Sequence, residues 1–186
     1  MIKNIIVLSR QKIEEIVHHN TSSINEPGAL ISIYGSFRFL DFDVMKKLEI
    51  LNCKYSIDLK FQDYTDKDQE TIKKIDPKRK VHLFNVEQAQ QIIFFLNKVN
   101  VEDISTLIIH CAQGISRSGA VGLFACRYLN LDENQFRLQN RITPNLYILN
   151  ILTEESGINK DYIQFWENEL NKKFRSMISS QIKSTD

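Results

Sequence analysis

A chain of 186 residues, 42% hydrophobic and 25% charged, has the composition of a soluble globular protein and is long enough for one domain to bury a core without metal or disulfide staples. Its net charge of +1 excludes the broad basic field that drives non-specific nucleic-acid binding, so an anionic partner needs a local site. Cys53, Cys111 and Cys126 lie far apart with no CxxC pair, which excludes a zinc knuckle or dithiol couple and points to a reducing compartment.

The chain opens with an apolar run at Ile5–Leu8, too short for a signal core or a membrane span. A cytoplasmic protein is expected, with secretion as an effector through a specialised signal left open. Lys12–His18 follows, with Ile13, Ile16 and Val17 on one helical face. Further short runs at Ala29–Tyr34, Tyr55–Phe61 and Leu107–His110 mostly lack polar alternation, the mark of strands buried on both faces. The segment Asp63–Lys80, with mixed charges and Pro77, shows no period and reads as a long surface loop of a kind that often carries function.

From Val86 to Val99 the residues Val86, Ala89, Ile93 and Leu96 recur at helical spacing, and Asn85 with Gln88 forms the capping-box pair that starts this helix. After the last strand, Val121, Phe124, Ala125 and Tyr128 recur in a segment apolar nearly all round, the pattern of a central buried helix. Helical patterns continue through Tyr162–Phe174, which holds the single tryptophan, Trp166; from about Ser179 to Asp186 the chain reads as a polar, disordered tail. Strands alternating with helices predict one α/β domain over residues 1–178, a mainly parallel sheet of four to five strands flanked by helices.

Between the last strand and the buried helix lies His110-Cys111-Ala112-Gln113-Gly114-Ile115-Ser116-Arg117-Ser118. With each fixed position about a 1-in-20 event, the pattern H-C-x-x-G-x-x-R-S arises by chance in roughly one chain in 10⁴ of this length. A loop that leaves a strand at the C-terminal edge of a parallel sheet and opens a helix lies where such sheets bind ligands. Its backbone N–H groups, from Ala112 through Gln113, Gly114, Ile115 and Ser116 to Arg117, can converge on one anion with the helix dipole behind them. The planar fork of Arg117 matches two phosphate oxygens at once. The same positive surroundings lower the Cys111 pKa from about 8.5 toward neutrality, which makes its thiolate a nucleophile.

This segment resembles the signature of the protein tyrosine phosphatase and dual-specificity phosphatase superfamily at every fixed position, over Ser105–Leu129. Leu8-Ser9-Arg10, Ile31-Ser32-Ile33, Phe61-Gln62-Asp63 and Thr143-Pro144-Asn145 are similar to a compact bacterial branch of it. The resemblance implies that Cys111 attacks phosphorus to form a phosphocysteine, held by Arg117 and the loop amides, which water then hydrolyses. It also implies that Ser118 hydrogen-bonds the departing sulfur, that His110 orders the loop and helps keep Cys111 ionised, and that an upstream aspartate protonates the leaving group.

Asp63 is preferred as that acid, because it directly follows the Tyr55–Phe61 strand and reaches the edge that carries Cys111 if the two strands are parallel. Asp76, nearer to the usual interval from the nucleophile, and Asp66 and Asp68 stay open. The chemistry needs no cofactor and no metal, and His18, His19 and His82 have no metal-ligand spacing. Cys53 and Cys126 read as packing residues, with a Cys126–Cys111 disulfide as the alternative. Asn145 and Arg141 read as mouth residues or as part of a helix boundary. The expected partner is a phosphorylated protein, phosphotyrosine before phosphoserine or phosphothreonine, met by a monomer with no nucleic acid or membrane bound. A phosphoinositide or RNA 5′-phosphate phosphatase, a rhodanese-type sulfurtransferase and a catalytically inactive phospho-binding module are the alternatives.

Overall fold

In the computed structural model, which describes residues 1–21, 26–35, 44–159 and 161–183, the four apolar runs become β1 (Asn4–Ser9), β2 (Gly28–Tyr34), β3 (Cys53–Lys60) and β4 (Thr106–Cys111). All pairings are parallel in the order β1-β4-β2-β3, so β4 enters between the first two strands. Neighbouring residues of β4 serve opposite cores. Leu107 and Ile109 join Ala29 and Ile31 on one face, while Ile108 joins Leu30 on the other. Two covered faces are the reason β2 and β4 show no polar alternation in sequence, whereas the edge strand β3 alternates, with Lys54, Ser56, Asp58 and Lys60 exposed.

The smaller core is closed by α1 (Arg10–His19), through Ile13 and Val17, and by α2 (Val44–Ile50), through Leu48 and Ile50. The larger one is built by α4 (Val86–Val101), α5 (Arg117–Tyr128), α6 (Glu133–Gln139), α7 (Leu146–Ser156) and α8 (Asp161–Lys183), with Leu96, Phe124, Phe136, Leu149 and Trp166 at its centre. As its composition predicts, α5 is buried from Arg117 through Cys126. Helix α8 runs through residue 179, where the sequence suggests a tail; residues 184–186 lie outside the described chain. Among the described residues no helix is long and apolar enough to cross a membrane.

Two expectations need correction. Asn85 and Gln88 do form the capping box, with Gln88 N–H on Asn85 Oδ1 at 2.9 Å, but the buried face of α4 is Ala89, Ile92, Phe95, Leu96 and Val99. Val86 is 45% exposed, because the helix turns its bulkier Ile92 and Phe95 to the core. Second, the segment read as a loop holds a helix, α3 (Asp66–Ile75). It buries no residue and so has no apolar period to read; a Thr65–Asp68 capping box and Asp66 and Asp68 in the first turn, with Lys73 and Lys74 in the last, sustain it instead. Cys126, read as a packing residue, sits buried in the last turn of α5. All three cysteines are free and buried.

Candidate active site

β4 ends with Cys111 in register with Ser9 of β1, and α5 starts at Arg117, so the intervening loop must turn beside the end of β1. Gly114 makes that turn at φ +71°, where a Cβ would lie 2.5 Å from both the Leu8 carbonyl carbon and the Ser9 nitrogen. Conformation and space both demand glycine there. Arg10 N–H donates to the Ala112 carbonyl at 3.2 Å, and on the far side Thr143 N–H donates to Ile115 at 3.2 Å and Asn145 N–H to Ser116 at 3.4 Å. With these carbonyls tied to the surroundings, the loop's amides are left to line its interior.

Cys111 Sγ lies there, 2% exposed, 3.1 Å from Ser118 Oγ and 3.3 Å from the Gly114 nitrogen. Burial alone pushes the thiol pKa up. The Ser118 hydroxyl, the backbone N–H groups of Ser118 and Gly114 and the Arg117 charge outweigh it, and the net pKa falls below the ordinary thiol value. Arg117 is itself buried, with Nη1 donating to the Phe61 carbonyl at 3.0 Å and Nε without a partner among the described residues. A buried guanidinium with an unsatisfied donor is costly until an anion completes it.

Ser116 stands at the N-cap of α5 but makes no side-chain capping bond; its hydroxyl donates to Asp63 Oδ1 at 2.8 Å. The first-turn N–H groups of α5 therefore lack a side-chain cap, a ready position for anionic oxygen. Asn145 Nδ2 donates to the same Asp63 oxygen at 2.9 Å, which leaves Oδ2 as the position for a proton. Asp63 arrives by the route the sequence suggested, since β3 runs parallel to β4 through β2. Its placement is reinforced at the base of the α3 excursion, where Gln62 N–H donates to the His82 carbonyl at 2.7 Å and His82 N–H to Gln62 Oε1 at 2.9 Å.

Two rival aspartates are occupied elsewhere: Asp76 caps the C-terminus of α3 and accepts from Lys78 N–H, and Asp68 serves the capping box. Asp66, in the first turn of α3, sets its charge near Tyr147. None of the three hydrogen-bonds the Cys111 loop. Asn145 holds both roles the sequence left open: its Oδ1 caps α7 through Tyr147 N–H and Ile148 N–H, while its Nδ2 binds Asp63.

His110 differs from its implied role. Its Nε2 lies 2.9 Å from Ser32 Oγ and 3.1 Å from Lys47 Nζ, and Lys47 also donates to Ser32 Oγ at 3.2 Å. Burial, then the charges of Lys47 and Arg10, lower its pKa to about 3. An ammonium can only donate, so Nε2 carries the lone pair and the proton sits on Nδ1, which is buried without a partner among the described residues. A neutral ring gives the thiolate no positive charge; His110 ties the end of β4 to β2 and α2. Lys47 is the residue that sequence reasoning missed, because nothing in its own segment marks it. Among the described residues no three His, Cys, Asp or Glu side chains gather as a metal site.

No protein-family model and no curated protein matches the sequence. Among solved structures the chain is similar to Tk-PTP in its active form, at 15% identity over 83% of this chain and 92% of that one, with a TM-score of 0.48. It is also similar to PTPMT1, at 10% identity over 89% and 95% of the two chains, with a TM-score of 0.45.

Proposed function

We propose that the chain is a cysteine-dependent phosphomonoesterase acting on phosphorylated protein side chains, phosphotyrosine before phosphoserine or phosphothreonine. The observation that carries this reading is a buried thiol whose pKa is nonetheless lowered, enclosed by hydrogen-bond donors next to an arginine with an unsatisfied Nε. Cys111 Sγ attacks phosphorus, the bond to the side-chain oxygen breaks, and Asp63 gives its proton to that oxygen. The loop amides, the α5 N-terminus and Arg117 hold the equatorial oxygens throughout. Asp63 then takes a proton from water as the water oxygen displaces sulfur, and the Ser118 hydroxyl, 3.1 Å from Sγ, stabilises the departing thiolate.

Two features favour a protein substrate and an active enzyme. The variable loop positions Ala112, Gln113 and Ile115 carry no lysine for a densely phosphorylated ligand, and a carboxyl group bonded to the loop itself is superfluous in a pure binder. Turnover of a phosphotyrosine peptide by wild type and by Cys111→Ser tests the reading, and equal rates would sink it. In pH–rate profiles Asp63→Asn loses the basic limb and on the order of 10²–10⁴ in rate, while Asp76→Asn keeps both.

A further inference from the structure

Next to the catalytic loop, and lined by its Ile115, lies a groove of about 790 Å³ bounded by α6, the 140–143 segment and α8. That size suits a ligand of several side chains. Among the described residues three cations line it, Arg137, Arg141 and Lys172, against one carboxylate, that of Glu169, which Lys172 holds at 2.8 Å. Arg137 lies over the Trp166 ring at 4.8 Å and the Phe165 ring at 5.0 Å, so its charge rests on an aromatic shelf. Arg141 is exposed and makes no ion pair among the described residues. Ile142 and Leu170 add apolar lining, beside the polar Asn140 and Thr143.

The groove joins the catalytic loop directly, because Ile115 belongs to the loop and Thr143 hydrogen-bonds it. We propose that this groove receives acidic residues flanking the phosphorylated residue of a protein substrate, an inference that rests on the phosphatase reading above. Carboxylates match Arg141, which makes no ion pair among the described residues, and add to the charge that Arg137 already shares with Glu169, while a peptide supplies the apolar contacts that a free polyphosphate lacks. Specificity then arises from charge placed beside the reaction site, while the variable positions of the loop stay neutral.

The single tryptophan reports directly on the groove, since Trp166 lines it and is 6% exposed under Arg137. Titrating Cys111→Ser with phosphotyrosine peptides flanked by Asp and Glu, or by Asn and Gln, and following Trp166 emission measures both affinities. The acidic peptide is expected to bind about tenfold tighter, equivalent to one charge-assisted contact. The advantage shrinks in Arg141→Gln and vanishes in Arg141→Glu, while both substitutions, made in the wild-type background, leave turnover of a small phenyl phosphate unchanged. Equal affinity for the two peptides, or an advantage that persists in Arg141→Glu, overturns the proposal. If emission separates the peptides but wild type never hydrolyses phenyl phosphate, the phosphatase reading falls and the acidic-peptide groove stands.

Discussion

Cys111 and Cys126 bracket the α5 region, the first just before the helix and the second in its last turn, and at 2% and 1% exposure they are equally withdrawn from water. Their acidities part company. Burial, with the Glu133 and Asp132 carboxylates, pushes Cys126 up to about 12, and burial pushes Cys53 to about 12 although Lys47 partly offsets it. At Cys111 the same burial is overcome. The contrast lies in what faces the sulfur: hydrogen-bond donors and the Arg117 charge at Cys111, two carboxylates at Cys126. Cys53 Sγ donates to the Leu51 carbonyl at 3.5 Å, which favours the thiol, whereas Cys111 Sγ accepts from Gly114 N–H, which favours the thiolate. Reactivity here follows from which groups point at the sulfur, with depth held constant.

The sharpest way to break this comparison is competitive alkylation at pH 7. A thiol near 12 has a thiolate fraction at least about 10³ below that of one under 9.0, so iodoacetamide followed by peptide mass spectrometry is expected to label Cys111 first by more than about 10²-fold. Comparable labelling of Cys126 would refute the contrast. Next in size, Arg117→Lys replaces a planar fork by a point charge, and kcat/KM on a phosphotyrosine peptide is expected to fall by about 10²–10³.

A smaller effect sits one residue before the nucleophile. His110 has a folded-state pKa lowered from 6.5 to about 3, so the unfolded state binds its proton first. The stability it contributes is present above pH 6.5 and is lost as pH falls toward 3. From pH 7 to pH 5 the loss is about 2 kcal/mol, read by urea unfolding, and His110→Gln should flatten that slope. An unchanged slope would mean the ring is already charged. The smallest change is expected of Ser118→Ala, which removes one of several groups acting on Sγ: the alkylation midpoint of Cys111 moves to higher pH while the fold keeps its unfolding midpoint.

Much of this was legible from local pattern. The four strands follow from β-branched apolar runs, α5 from a segment apolar all round, and the Cys111 loop from fixed letters that each have a physical task. Asp63 could be placed by topology alone, since the end of a parallel strand fixes which edge the next residue reaches. What stayed hidden depended on partners distant in sequence or on elements without an apolar face. Helix α3 buries nothing and rests on its caps and end charges, and Thr65 paired with Asp68 was the one available signal. Lys47 acquires meaning only when α2 sets its ammonium 3.1 Å from His110. The bond from Asn145 to Asp63 joins two segments that no spacing rule connects.

The contact of Gly114 with the Leu8–Ser9 backbone bears on the order in which the protein can acquire its chemistry. The turn that aims an amide at Cys111 is shaped against a strand far earlier in the chain, and β1 joins the sheet only by pairing with β4. Closing so long a loop is entropically slow, so a nascent or partly folded chain carries an ordinary, weakly acidic thiol. The donor that Gly114 aims at Cys111 is therefore in place only once β1 has paired with β4.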